Sequence, residues 1–384
     1  MRYYIIAGEP SGDLHGSNLV AAIKGNDKKA VFRGCGGDMM KNQGVDLLFH
    51  YRRMAYMGFA EVALNIDKVL TNIKKCKEDL LQFAPDAVIL IDYPGFNLRI
   101  AKFAHRHKIK VFYYISPQVW AWKKHRVNQI RSHVDKMLVI LPFEEQFYRN
   151  HNVDAAYVGN PLLDELSKER KGTANDYFKR NKLSKDEKYI ALLPGSRRQE
   201  VRKMLPAMLK VVPEFPDYHF VVACAPSIDE DFCKTLIGDT HNVSIVKAQT
   251  YDVLQNSYAA LVTSGTATLE TALLMIPEVV CYSTSRTSYL IARYFAKVKY
   301  ICLVNLILDK PVVKELIQGD LNKDNLVEEL SKLLNNPKHQ RRLLEDYDAL
   351  RQRLGGEGAS QRAADIITDM MLMSVEHKAQ HHLD

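Results

Sequence analysis

The chain has 384 residues, of which 47% are hydrophobic and 26% charged, and it carries a formal net charge of +8. That length exceeds what one hydrophobic core organises, so two domains are predicted, and the composition is that of an ordinary soluble globular protein. No apolar run approaches the ~18 residues that cross a bilayer, Met1 leads into a strand-like segment without a signal-peptide pattern, and six scattered cysteines with no Cys-x-x-Cys pair fit reduced thiols and argue against structural zinc.

From the amino terminus, apolar β-branched runs alternate with stretches of helical period. Strands are predicted at Tyr3–Ala7, Ala30–Arg33, Ala87–Ile91, Lys110–Ile115, Met137–Leu141 and Ala156–Val158. Such alternation implies a parallel sheet covered on both faces. It breaks at Gly159, Asn160 and Pro161, and the polar, charged stretch from Ser167 to Lys188 reads as an interdomain link. A second series follows at Tyr189–Leu193, His219–Cys224, Val243–Val246, Ala259–Val262 and Val279–Tyr282. The expected fold class is therefore α/β, with two doubly wound domains, 1–163 and 164–358, facing across a cleft and binding ligands at the carboxyl ends of their strands. Asn325–Leu354 reads as helices, Gly355–Gly358 interrupts them, and Ala359–Met373 carries Ala363, Ile366, Ile367 and Met370 on one stripe. That last helix either packs back on the first domain or exchanges with another subunit in a homodimer. The histidines of the polar tail, His377, His381 and His382, fit disorder better than a metal site.

Several segments carry candidate chemistry. After the first strand come Gly8, Glu9, Pro10, Ser11, Gly12, Asp13, Leu14, His15 and Gly16. Glycines spaced by four match neither the dinucleotide fingerprint nor the Lys-containing P-loop. This reads as a glycine-rich loop that either lets substrate approach the backbone or simply makes a turn. Val62, Ile66, Val69, Leu70 and Ile73 form a helical stripe best explained as core. Asp92 ends a buried run, where a carboxylate can take a proton from an attacking hydroxyl, cap the next helix or hold the loop. Between Arg99 and Arg149 eleven Lys and Arg face only Asp135, Glu144 and Glu145, a basic stretch suited to an anionic partner or to solvent. Within it Ser116, Gln118, Trp120, Trp122, Lys123, Lys124 and Arg126 combine cations with tryptophan, as at a bilayer interface or a phosphorylated, partly apolar ligand; no nucleic-acid-binding signature accompanies them. In the second half, Tyr189–Leu193 runs into Pro194, Gly195, Ser196 and Arg197, and Ala259–Val262 into Thr263, Ser264, Gly265 and Thr266. Each is a strand, a small-residue turn and a helix start, which either cradles a phosphate or makes a tight turn. Glu270, one turn into the second helix, can accept hydrogen bonds from a sugar diol. Together these features point to a nucleotide-diphosphate sugar.

Assembled, the chain resembles the bacterial lipid-A-disaccharide synthases, glycosyltransferases of the GT-B fold. The likeness runs through Gly8–Gly16, Met57-Gly58-Phe59-Ala60-Glu61-Val62, Asp92–Asn97, Ser116–Trp122 with Lys123–Arg126, Leu141-Pro142-Phe143-Glu144, Leu193–Arg197, Ser264–Glu270 and Asn305–Leu316. Pro10, Gly95 and Val304 depart from the family's usual residues; Gly95 leaves Asp92 as the acid to test. The resemblance implies transfer of 2,3-diacylglucosamine from its UDP ester to the 6-hydroxyl of 2,3-diacylglucosamine 1-phosphate. It further implies Asp92 as general base, Arg197 with the amides near Ser196, Gly265 and Thr266 on the diphosphate, Glu270 on the ribose, and Asn305 and Ser264 at the donor. Ser11, Gly12, Asp13, Ser116 and Gln118 fall to the acceptor side, and Trp120, Trp122, Lys123, Lys124 and Arg126 to the membrane or the acceptor phosphate. No metal or other cofactor is expected, and the protein is expected in the cytoplasm, peripheral on the inner face of the membrane. Another GT-B transferase, a UDP-sugar epimerase and a non-catalytic binding protein are the alternatives.

Overall fold

The computed structural model describes residues 1–54, 66–120, 125–168, 174–284 and 299–380. The Met57–Val62 motif and Trp122, Lys123, Lys124, His381 and His382 lie outside the described residues. The chain forms two compact units, Met1–Asp164 with Gly356–Asp384, and Glu165–Gly355.

The first unit alternates β1 (Arg2–Ala7), α1 (Pro10–Asn26), β2 (Val31–Gly36), α2 (Asp38–Asn42), β3 (Val45–His50), α3 (Ile66–Phe83), β4 (Ala87–Ile91), α4 (Pro94–Arg106), β5 (Lys110–Tyr114), α5 (His125–His133), β6 (Lys136–Val139), α6 (Pro142–Arg149) and β7 (Ala155–Tyr157). Its seven strands lie in the order β3-β2-β1-β4-β5-β6-β7, every described pairing being parallel. Successive side chains of a strand point to opposite faces. Tyr4 and Ile6 therefore join a core with Val88, Leu90 and Tyr113 on one side, and Tyr3, Ile5 and Ala7 join Ile89, Phe112 and Tyr114 on the other. Helix α7 (Pro161–Lys168) follows β7.

The second unit contains α8 (Ala174–Asn181), β8 (Lys188–Leu193), α9 (Arg198–Leu209), β9 (Tyr218–Cys224), α10 (Glu230–Ile237), β10 (Val243–Lys247), α11 (Thr250–Gln255), β11 (Ala259–Thr263), α12 (Thr266–Leu273), β12 (Glu278–Tyr282), α13 (Leu303–Leu308), β13 (Lys314–Ile317), α14 (Lys323–Asn335) and α15 (Pro337–Leu354). Its six strands run parallel in the order β10-β9-β8-β11-β12-β13. The last helix, α16 (Ala359–Gln380), returns to the first unit. Ala363, Ala364, Ile367 and Met371 are buried there with Leu19, Val20 and Ile23 of α1, and the Asp164 carboxylate accepts the Gly358 amide at 2.5 Å where the helix begins.

Four expectations are revised. The stretch read as a link belongs to the second unit, because Tyr177 of α8 is buried in its core with Phe178 packed alongside. The tail is helical through Gln380, so the backbone of His377 is ordered as helix. Leu70 is half exposed, while Ile73, Cys76 and Leu80 carry the buried face of α3. Gly12 and Gly16 lie inside α1 and not in a loop: a Cβ on Gly12 would stand 3.2 Å from the Ala7 side chain, and one on Gly16 2.7 Å from Met40 Sδ, so these glycines let the helix approach the sheet closely. Among the described residues no helix is long and apolar enough to cross a membrane.

Candidate active site

In an open parallel sheet, ligands gather where the strand order reverses, beyond the carboxyl ends of the strands. In the first unit that point lies between β1 and β4, where Ala7 pairs with Ile91. The next residues are Gly8 and Asp92, and a Cβ on Gly8 would fall 2.4 Å from the ring of Tyr93. Asp92 and Tyr93 both adopt left-handed backbone, with φ of 42° and 48°. Non-glycine residues are rare there, and such strain persists only where surrounding contacts over-determine it. Those contacts are specific. Asn97 Nδ2 donates to the Asp92 carbonyl at 2.7 Å and to that of Ile91 at 3.1 Å, Tyr113 Oη donates to the Asp92 carbonyl at 2.5 Å, and Tyr93 Oη donates to the Met54 carbonyl at 2.6 Å.

Tyr93, not Asp92, occupies the cap position of α4, so capping does not account for the carboxylate. Burial, with the charge of Glu9 adding to it, pushes the Asp92 pKa up to about 7, against the Tyr93 amide and His15, which favour the ionised form. A carboxylate in this range is matched to proton abstraction near neutrality. Glu9 and His15 thus belong to the site although sequence reading gave them no role; their positions after β1 and on the first turns of α1 were the available signal. Ser11 is exposed in the first turn of α1. Asp13 is corrected: it is 3% exposed and accepts the amides of Gly37, Met39 and Met40 at 2.7, 3.1 and 3.1 Å, capping α2 instead of lining a cleft.

Beyond β5, Ser116 is buried, with its Oγ 2.7 Å from Tyr148 Oη, and Gln118 is exposed. Trp120 is half-buried and directs its indole N–H inward to Glu144 Oε1 at 3.0 Å, which argues against a membrane anchor at that end of the ring. Arg126 is half-buried close enough to Tyr113 to favour its ionised form.

The second unit's reversal lies between β8 and β11, with Leu193 paired to Val262, so both predicted turns emerge side by side. Gly195, at φ 110°, makes the first turn; a Cβ there would be strained and would meet Glu200 Oε2 at 2.7 Å. Ser196 is exposed, and Arg197 caps α9 with its guanidinium 2.9 Å from Glu200 Oε1. The second turn, Ser264, Gly265 and Thr266, opens α12 with no capping side chain, leaving first-turn amides for an outside acceptor. Glu270 is half-buried on α12, and burial together with the charge of Glu165 pushes its pKa up to about 7. It lines a pocket of about 270 Å³ with Pro226, Ala248, Gln249, Thr250, Tyr251 and Asp252. The stretch once read as a link organises that wall: Arg180 donates to Gln249 at 2.9 Å and to Asp252 at 2.8 Å.

Asn305 is also corrected. It is 1% exposed; its Oδ1 accepts the amides of Val312 and Val313 at 2.8 and 3.0 Å, and its Nδ2 donates to the Val313 carbonyl and Glu315 at 2.9 and 3.0 Å. Its polar atoms hold the chain before β13. Among the described residues no group of three or more His, Cys, Asp and Glu is placed to hold a metal ion.

Two units, each an open parallel α/β sheet whose strand order reverses once, have the architecture of a GT-B protein. Solved structures share the fold, among them UDP-GlcNAc 2-epimerase from Neisseria meningitidis bound to UDP-GlcNAc (TM-score 0.67, 15% identity, 97% of this chain and 100% of that one) and a calicheamicin glycosyltransferase (TM-score 0.58, 15% identity, 96% and 97%). At sequence level, the profile of the lipid-A-disaccharide synthetase family matches residues 3–369. Lipid-A-disaccharide synthases of Syntrophus aciditrophicus and Myxococcus xanthus are 43% and 39% identical, over 94% and 96% of this chain and 95% and 97% of their own lengths. The chain belongs to the lipid-A-disaccharide synthase family and is a hexosyltransferase.

Proposed function

We propose that the protein transfers 2,3-diacylglucosamine from its UDP ester to the 6-hydroxyl of 2,3-diacylglucosamine 1-phosphate, with inversion, forming a β-1,6 disaccharide 1-phosphate and UDP. The single observation that carries this mechanism is Asp92, a carboxylate held on strained backbone with a pKa near 7. It takes the proton of the acceptor hydroxyl as the new glycosidic bond forms, and the bond to the UDP oxygen breaks. Negative charge then grows on the diphosphate, where amides near Ser196, Gly265 and Thr266 and the Arg197 guanidinium stabilise it. Glu270 accepts hydrogen bonds from the ribose hydroxyls. Supplying both substrates to purified protein tests the reading: UDP must appear in step with lipid disaccharide, and binding without turnover would favour a non-catalytic role.

The acyl chains of both substrates call for work at the inner face of the cytoplasmic membrane. Arg99, Lys102 and Arg106 are exposed along α4, and a cationic helix face of this kind attracts anionic headgroups. Flotation with anionic vesicles should weaken at high salt, because such attraction is screened within ~8 Å at physiological ionic strength; salt-independent flotation would indicate apolar insertion.

A further inference from the structure

The Leu141-Pro142-Phe143-Glu144 motif has no part in the mechanism above, yet it holds a buried carboxylate beside the acceptor-side loop. Glu144 is 1% exposed. Its Oε2 accepts the Leu141 amide at 3.1 Å, closing the start of α6. Capping alone does not require burial: Glu200 holds the same place on α9 while 34% exposed and paired with Arg197. What burial adds at Glu144 is the bond from Trp120 Nε1 to Oε1 at 3.0 Å, with the Trp120 ring edge-on to Phe143 at 5.0 Å.

At the other end of the loop, burial pushes the Glu144 pKa up to about 7 against the Leu141 amide, the Trp120 N–H and the Ser116 hydroxyl, which favour the ionised form, and that hydroxyl stands 2.7 Å from Tyr148 Oη, one turn along α6. The groups facing Glu144 are thus Ser116 and Trp120 of the loop, Tyr148 of its own helix, and Tyr157 of β7, whose ionisation it opposes. The loop that presents exposed Gln118 is tied at Ser116 and at Trp120 to one helix. It departs from β5, whose Tyr113 clamps the backbone of Asp92.

From this geometry we infer that Glu144 is a positioning residue for the acceptor: it seats the Ser116–Trp120 loop beside the general base and touches no substrate itself. The inference rests on the glycosyl-transfer reading. It is tested in the full-length enzyme with Glu144→Gln, which keeps size but has one acceptor oxygen for two donors, and with Trp120→Phe, which keeps the ring and loses the N–H. Each should raise the acceptor KM about tenfold, the effect of losing one buried hydrogen bond, with kcat at saturating acceptor and the donor KM held within about twofold. The double variant should be no worse than either single one, because both remove the same bond. Unchanged acceptor KM, additive losses, or an equal rise in donor KM would overturn the inference. In a Trp122→Phe background Trp120 is the remaining tryptophan, and Glu144→Gln should shift its emission; unaltered emission also counts against the tether. Absence of turnover in the wild type would refute the transferase reading instead, and Trp120 emission would still decide whether Glu144 holds the loop.

Discussion

The reversal points of the two sheets share a topology and differ in how they are built. In the first unit, strained backbone at Asp92 and Tyr93 is clamped by Asn97 and Tyr113, and the carboxylate is desolvated. In the second, Ser196, Arg197, Gly265 and Thr266 are exposed, and the groups proposed to meet the diphosphate are backbone amides and one cation. The difference follows the chemistry assigned to each. A general base needs a raised pKa and a fixed direction, which burial and strain supply. A diphosphate needs several donors that converge on it, which open helix starts supply without burying charge.

The sharpest way to break this contrast is Asp92→Asn, expected to cut turnover by about 10²–10⁴-fold, the range of general base catalysis, with the donor KM unchanged. Stability supplies a control. Because the folded pKa of Asp92 lies above its ordinary 3.8, its protonated form stabilises the fold below that value, and this contribution is lost as pH rises through about 7. Asp92→Asn should therefore melt no lower than wild type at pH 8; a large drop in Tm would mean that lost activity reflects lost fold. Arg197→Ala should come next, lowering kcat/KM by about 10–100-fold through a lost charge-assisted contact and weakening inhibition by UDP. An unchanged response to UDP would remove Arg197 from the diphosphate site.

Glu270→Gln should raise the donor KM about tenfold by weakening a bond to a charged acceptor. In the wild type the same KM should fall as pH rises through about 7, where Glu270 becomes the better acceptor; a flat donor KM would detach Glu270 from the ribose. Asn305→Ala should act on stability, with about 1–3 kcal/mol lost for each buried amide left unpaired, seen as a lower Tm with kcat nearly intact. The smallest effect is the null one: chelator treatment should leave turnover unchanged, since the proposed mechanism gives the leaving-group charge to Arg197 and backbone amides.

The central strands were legible because parallel strands buried on both faces read as continuous apolar runs, as Ala87–Ile91 does. β3 and β13 escaped notice for the opposite reason. Asp46 and Lys314 stand exposed among their apolar residues and break the run. The turns after β8 and β11 were visible as small residues after apolar runs. What sequence could not convey was the direction of individual side chains: Asp13 turned to cap α2, Asn305 turned to hold a loop, Trp120 turned toward Glu144, and glycines placed in a loop that in fact pack α1 on its sheet. Each depends on a partner distant in sequence or on burial, which local pattern does not encode.

The most direct test of the central claim is the pH dependence of single-turnover transfer in wild type and in Asp92→Asn. The account predicts a wild-type rate that rises with pH through about 7, as Asp92 loses its proton, and a residual Asn variant rate that lacks this limb. A limb that survives unchanged in Asp92→Asn, or a near-normal rate in that variant, would contradict Asp92 as the base.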